Sequence, residues 1–204
     1  METVQTIGMI LFAYLFGSVP AALLIGRWVG TDLRKVGSGN PGAANLFREV
    51  GKGWGIIGGL FDALKGFIPA FLAKGVLGLS SWVVPLVGIA AVVGHNWPLY
   101  FRFNGGRGLA TTIGATAYLL LSSFWVAFLV AVFVGFVVAA VPAVKGYAIP
   151  VGATAGYGAL VITSFLKSEP SFLCCYAVVI SVLALIRNVP ALLRLIKRWG
   201  ESKA

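Results

Sequence analysis

Two glycine-rich stretches hold most of the residues in this chain that could grip an anion. The first reads Asp32-Leu33-Arg34-Lys35-Val36-Gly37-Ser38-Gly39-Asn40-Pro41-Gly42-Ala43-Ala44-Asn45-Leu46-Phe47-Arg48. Gly37, Gly39 and Gly42 permit positive φ, so successive amides can turn into one concavity and hold an oxyanion. Ser38, Asn40 and Asn45 add side-chain partners, while Arg34 and Arg48 add charge. A guanidinium grips phosphate through two parallel hydrogen bonds. The plain alternative is a glycine turn flanked by charges that set topology. The coincidence of Ser, Asn and Arg with the glycines favours a phosphate or carboxylate site.

The second stretch runs from Gly94-His95-Asn96-Trp97-Pro98 through Arg102-Phe103 to Asn104-Gly105-Gly106-Arg107-Gly108 and on to Thr111-Thr112. Asn104 to Gly108 is a second flexible cradle, with a cation inside it. If a helix opens at Gly108, its N-terminal amides also favour an anion. His95 is the single histidine. It is read either as a satisfied residue at a helix end, or as a proton donor or acceptor, or as a hydrogen-bonding support for the site. Trp97, Tyr100, Phe101 and Phe103 suit an interfacial aromatic belt better than a ligand platform. Asp62 and Lys65 stand three apart inside an apolar run, on neighbouring positions of one helix face. Charges in such a run usually turn toward the protein interior. They are expected to form an internal ion pair that props up the first loop, with a proton path as the second reading.

The elements that must position these loops are membrane helices. Of 204 residues, 59% are hydrophobic and 11% charged, against about 25% charged in a soluble domain. One span needs about 20 apolar residues. Seven fit: 3–26, 54–73, a span within 75–101, two within the uncharged run 108–144, 146–166 and 170–186. The run 108–144 is too long for one upright helix at ~1.5 Å per residue, and Ser122-Ser123 is the expected turn. The chain is read as a single seven-helix domain over 1–204. Its cytoplasmic loops lie at about 27–53, 102–108 and 142–148, followed by a tail at 187–204. Of the 16 Lys and Arg, thirteen then fall on one side, two (Lys74 and Lys167) on the other, and Lys65 within a span. That bias places the N-terminus outside and the C-terminus in the cytoplasm.

The same pattern weakens other classes. The net charge of +10 sits between apolar runs and suits anionic lipid heads better than nucleic acid. Adjacent Cys174 and Cys175 in an apolar stretch argue against a disulfide framework and against a cysteine zinc site. No metal set is visible, and the N-terminus lacks the basic region of a cleaved signal peptide. A small anion channel or transporter would need a polar path across the whole membrane, and the outward half is apolar. No internal repeat is apparent. A scaffold with no small-molecule site would leave both glycine loops unexplained.

The loops resemble the first two signature motifs of the bacterial acyl-phosphate:glycerol-3-phosphate acyltransferase family, PlsY. The resemblance is carried by Gly17-Ser18, Asp32-Leu33-Arg34, Gly37-Ser38-Gly39-Asn40, Gly42-Ala43, Asn45 and Arg48. It continues through Asp62, Leu64-Lys65-Gly66, Gly94-His95, Pro98, Phe103, Gly105-Gly106-Arg107-Gly108 and Ala110-Thr111. It implies a seven-helix enzyme of the bacterial inner or plasma membrane with its site facing the cytoplasm. Such an enzyme moves an acyl chain from acyl phosphate to the 1-hydroxyl of glycerol 3-phosphate, giving lysophosphatidic acid and phosphate without acyl-CoA or any known cofactor. Ser38 and Arg48 match the family's phosphate-binding Ser and Arg, and Arg107 its second-motif cation. The catalytic candidates are thus Ser38, Arg48, His95 and Arg107. Gly37, Gly39, Asn40, Asn45, Asn104, Gly105, Gly106, Gly108 and Asn188 join them as substrate-binding candidates, and Asp62 and Lys65 as supports. The implied partners are the two substrates and membrane lipid.

The chain departs from the family at several places. Arg107 replaces the usual Lys, keeping charge but changing geometry. Serines expected after Tyr147 are absent, the stretch reading Ala148-Ile149-Pro150-Val151-Gly152. Asn188 stands where the family has His, and Ala191 where it has Asn. Glu201 matches the tail Glu only with its spacing off by one. Losing donors from a pocket wall can lower a rate by orders of magnitude. Three readings stay open: an intact enzyme in which Asn188 and Arg107 substitute, a different acyl donor or acceptor, or a relative that binds without turnover.

Overall fold

The first apolar run does not fold as one straight helix. The computed structural model describes residues 1–142 and 144–201. It has α1 over Glu2–Gly17 and α2 over Ala21–Trp28. Pro20, between them, lacks the N–H that would continue the ladder, and its ring biases the residue before it away from helical backbone. Ser18 Oγ donates back to the Tyr14 carbonyl at 2.8 Å. The interruption leaves the Val19 carbonyl accessible from the side, and Lys65 Nζ donates to it.

The chain continues with α3 (Ala43–Glu49) and α4 (Lys52–Phe71), which runs on into a π-turn over Leu72–Val76. Next come α5 (Val83–Asn96), a 3-10 turn over Leu99–Phe101, and α6 (Leu109–Leu119). Then follow α7 (Leu121–Ala139), a 3-10 turn over Lys145–Tyr147, α8 (Ala148–Leu166) and α9 (Ser171–Glu201). Every regular element among the described residues is helical. The chain divides into two units, Met1–Leu119 and Leu120–Ala204.

In the first unit, helices approach through glycine. A Cβ on Gly66 would strike the Thr111 carbonyl, and one on Gly114 the Ala63 carbonyl, so α4 and α6 touch backbone to backbone. Gly17 and Gly94 do the same for α1 and α5, facing Ala91 and Tyr14. Such contact is how helices gain packing where lipid removes the hydrophobic drive. Met9, Ala13, Ala70, Val83 and Val87 fill one cluster. Ala22, Leu23, Leu33 and Leu46 fill a second beneath the first glycine loop. In the second unit, α8 lies against α7, where a Cβ on Gly152 would meet the Ala131 carbonyl. Ser181 of α9 donates to the Tyr157 carbonyl of α8 at 3.2 Å. Cys174 is buried, Cys175 is exposed, and both are free thiols.

Among the described residues, five helical segments are long and apolar enough to cross a membrane: Glu2–Trp28, taken across its break, Lys52–Val76, Val83–Phe101, Lys145–Leu166 and Ser171–Lys197. Large apolar side chains such as Ile56, Leu60, Phe133 and Phe136 are exposed, as a lipid-facing surface requires. The long run 108–144 breaks at Leu120 (φ −132°, ψ 49°), not at Ser122-Ser123. The serines instead lie in the first turn of α7, where the Ser123 N–H reaches back to the Leu120 carbonyl at 3.1 Å. A serine tolerates a helix's first turn well, so its polarity is a poor guide to the turn itself. With 11 residues, α6 is about 16 Å long at ~1.5 Å per residue, near half of the ~30 Å apolar layer. Within the third run the helix starts only at Val83. Of the tail and third-loop expectations, residue 143 and Lys203 lie outside the described residues.

Candidate functional site: two glycine loops on one apolar anchor

The first loop is pinned at both ends by leucine. Leu33 and Leu46 are fully buried in the cluster with Ala22 and Leu23, against which Val36 and Phe101 pack. Between the anchors the backbone turns at Gly37 (φ 55°) and Gly39 (φ 68°), in the left-handed region that glycine tolerates best. A Cβ on Gly37 would also collide with the Glu49 carboxylate and the Asn45 amide. Gly42, expected to share that conformation, is extended instead (φ −106°) and forms the N-cap of α3.

Asn45 braces the loop from inside. It is fully buried. Its Nδ2 donates to the Leu33 and Val36 carbonyls at 2.9 and 3.1 Å. Its Oδ1 accepts from the Ser38 N–H and Ser38 Oγ, each at 3.1 Å. An amide offers two donors and two lone pairs, and all four are occupied within the loop. Asn45, expected as a partner for a phosphate, is instead committed to shaping the turn. Ser38 itself is exposed, and its Oγ also accepts from the Asn40 N–H at 3.4 Å. Arg48 stands exposed on the last turn of α3. Arg34, expected to add charge, pairs with Asp32 through Nη2 at 2.6 Å and Nε at 2.9 Å. The hydrogen bonds from Arg34 hold the Asp32 carboxyl well below the usual carboxylate range, and the same contact raises the guanidinium.

The second loop is strapped to the end of α5. The Gly106 N–H donates to the His95 carbonyl at 3.2 Å and the Gly105 N–H to the Asn96 carbonyl at 3.3 Å. Gly106 lies so close to the His95 ring that a Cβ would strike Nε2. The stretch before it is also tied down. Tyr14 Oη donates to the Trp97 carbonyl at 3.1 Å, and the Leu99 N–H donates to Ser18 Oγ at 3.4 Å. Arg102 and Phe103 both adopt positive φ (51° and 60°). Left-handed backbone at two successive non-glycine residues carries a cost that tends to collect at functional sites. Asn104 is exposed, Gly105, Gly106 and Gly108 are buried, and Arg107 is half-buried.

Both loops therefore root in the same end of the first unit. Phe101, which leads into the second loop, packs on the Leu33–Leu46 anchor of the first. The Arg27 guanidinium lies over the Phe101 ring at 5.3 Å.

Asp62 and Lys65 pair as their spacing predicts, Nζ to Oδ1 at 2.6 Å, with side chains 3% and 0% exposed. Their connections differ from the expectation that they prop up the first loop. Lys65 reaches the Val19 carbonyl at the α1–α2 break, and His95 Nδ1 lies 3.6 Å from Asp62 Oδ1. Sequence spacing gave no sign of the His95 contact, which joins α4 to α5 across 30-odd residues. In the second unit Asn188 and Ala191 are buried on α9, Gly152 is buried on α8, and Ile149 is largely exposed.

Comparison with known proteins identifies the group. The family model described as glycerol-3-phosphate acyltransferase matches residues 7–198. A glycerol-3-phosphate acyltransferase of Rubrobacter xylanophilus is 50% identical over 108 residues, covering 53% of this chain and 54% of the relative. One of Aquifex aeolicus is 47% identical over 106 residues, covering 52% and 55%. The chain thus spans about half the length of the curated relatives it matches. Among solved structures, the glycerol 3-phosphate form of PlsY (YgiH), an integral membrane glycerol 3-phosphate acyltransferase, superposes with a TM-score of 0.86. It is 33% identical and covers 95% of this chain and 92% of that one. The lysophosphatidic acid form gives 0.81 at 30% identity, with the same coverage. With the family model spanning nearly the whole sequence, the chain belongs to the glycerol-3-phosphate acyltransferase family.

Proposed function

We propose that this protein transfers an acyl chain from acyl phosphate to the 1-hydroxyl of glycerol 3-phosphate. The hydroxyl oxygen attacks the acyl carbon, an ester bond forms, the bond from acyl carbon to phosphate oxygen breaks, and phosphate carries the electrons away. The hydroxyl's proton passes to the released phosphate. Both substrates are anionic and one carries a long alkyl tail, which suits a cationic site at a membrane surface. The observation that carries the reading is the common Leu33–Leu46–Phe101 anchor from which both glycine loops rise.

The exposed Ser38 hydroxyl turns from Asn45 Oδ1 to donate to one phosphate, with the Asn40 side chain beside it, while the Ser38 and Gly39 amides stay in the loop's own hydrogen bonds to Asn45 and Val36. Arg48 and Arg107 both supply charge to that phosphate, and Asn104 to Gly108 also curl around the second anion. Asn45 shapes the first loop, while Asn188 of α9 takes the place of the family's His. Positioning and charge stabilisation carry most of the rate in such a site. The α1–α2 pair, α4, α5, α6, α7, α8 and α9 make seven spans in a single membrane domain. The N-terminus lies outside, and both loops and the tail face the cytoplasm of a bacterial cell, as the charge bias favours.

The test is a donor competition. Purified protein receives glycerol 3-phosphate with acyl phosphate, acyl-CoA or an acyl-carrier-protein thioester, and lysophosphatidic acid is measured. Product from acyl phosphate alone is the expected result. Product from a thioester alone would replace the donor, and no product from any would replace the function.

A further inference from the structure

Resting on the reading of residues 104–108 as an anion loop, we infer that the buried Asp62–Lys65–His95 chain is a positioning device that sets that loop. His95 then acts on the reaction through Gly105–Gly106–Arg107 and not as a proton carrier to substrate.

Asp62, Lys65 and His95 are 2%, 0% and 9% exposed. A charge in such surroundings is kept only when something holds it. Lys65 is held on one side by Asp62 at 2.6 Å and on the other by the Val19 carbonyl. That carbonyl is available because Pro20 interrupts the first span. Asp62 Oδ1 in turn faces His95 Nδ1 at 3.6 Å. This is longer than a hydrogen bond, yet close enough for the carboxylate's charge to orient the ring.

The other edge of the ring meets the loop. Nε2 sits where a Cβ on Gly106 would be, so the backbone of the loop rests on the imidazole. The carbonyls of His95 and Asn96 take the Gly106 and Gly105 amides at 3.2 and 3.3 Å. His95 therefore contacts the loop through both its ring and its main chain. The α1–α2 break, α4, α5 and the loop meet through three side chains. With Nδ1 turned to Asp62 and Nε2 covered by Gly106, the ring has neither edge presented to a substrate. Arg107 follows directly on the glycine that rests on it, so a tilt of the imidazole moves the guanidinium.

Hydrogen exchange and kinetics on purified protein test this together. Asp62→Asn leaves Lys65 without its counter-charge and can unfold the protein, so Asp62→Asn with Lys65→Met is made alongside it, with His95→Ala and His95→Gln. Exchange of the 104–108 amides is expected to rise in His95→Ala and in the double variant, with the remaining helices protected as in wild type. His95→Gln is expected to restore part of that protection. This readout does not need turnover, so it stands or falls apart from the assigned reaction. Where acyl phosphate supports turnover, His95→Ala should lose about 100-fold in kcat/KM, the scale of a misplaced group. That loss should lie mostly in KM for a phosphate substrate, with both limbs of the pH profile kept. Unchanged exchange in the loop would overturn the inference. So would a lost pH limb with KM intact, because that is the mark of proton transfer by His95 itself.

Discussion

Ser38 is exposed, and its hydroxyl is aligned by Asn45, whose amide is itself fixed by two carbonyls of the same loop. Removing the hydroxyl should cost function and not folding. Ser38→Ala is expected to raise KM for glycerol 3-phosphate at least tenfold or to abolish turnover, with an unchanged melting temperature in detergent. Wild-type kinetics would remove Ser38 from the site. Arg107→Lys keeps the charge at the family's usual residue, and its kcat/KM should stay within a few-fold of wild type. A dead variant would mean the site has been rebuilt around a guanidinium. Asp32 titrates below its ordinary value because of Arg34. A depressed carboxyl stabilises the fold above its unfolded pKa of about 3.9 and loses that contribution as pH falls through the lowered folded value. Asp32→Asn should therefore differ from wild type in loop-one amide exchange at neutral pH, and the two should converge in strong acid. At this scale the sequence is readable where backbone chemistry decides, as at Gly37 and Gly39. It is opaque at Asn45, because which carbonyls an amide meets depends on how Leu33 and Val36 fold over it.

The buried pair on α4 belongs to the scale of elements. Asp62→Asn should destabilise the protein by about 3–5 kcal/mol, the cost of stranding a buried charge. Adding Lys65→Met should recover most of it, as measured by thermal unfolding in detergent. A double variant no better than the single would show that the charges are not each other's main partner. The pairing itself was legible from an i, i+3 spacing inside an apolar run. Its reach to Val19 and His95 was not, because both contacts depend on how α1, α2 and α5 pack through Gly17 and Gly94. The turn in the run 108–144 was misplaced for a related reason. Polarity pointed to Ser122-Ser123, while the chain breaks at apolar Leu120.

For the whole molecule, uncharged runs and the one-sided distribution of Lys and Arg outlined a membrane bundle. Among the described residues, length and apolarity alone single out five helices, because α6 has only 11 residues and Ser123–Ala139 also falls short. Cysteine labelling from the two sides of a membrane should tag positions near 35 and 104 from the same, cytoplasmic side. Tagging from opposite sides would break the seven-span arrangement. The proposed chemistry requires both loops to serve one site. Arg48→Gln, Arg107→Gln and the double variant test it directly through equilibrium binding of glycerol 3-phosphate. Groups that share a ligand couple by about 0.5–3 kcal/mol, whereas distant ones simply add. The double variant is expected to lose measurably less, or more, than the two single losses combined. Strictly additive losses, or binding untouched by either change, would contradict it.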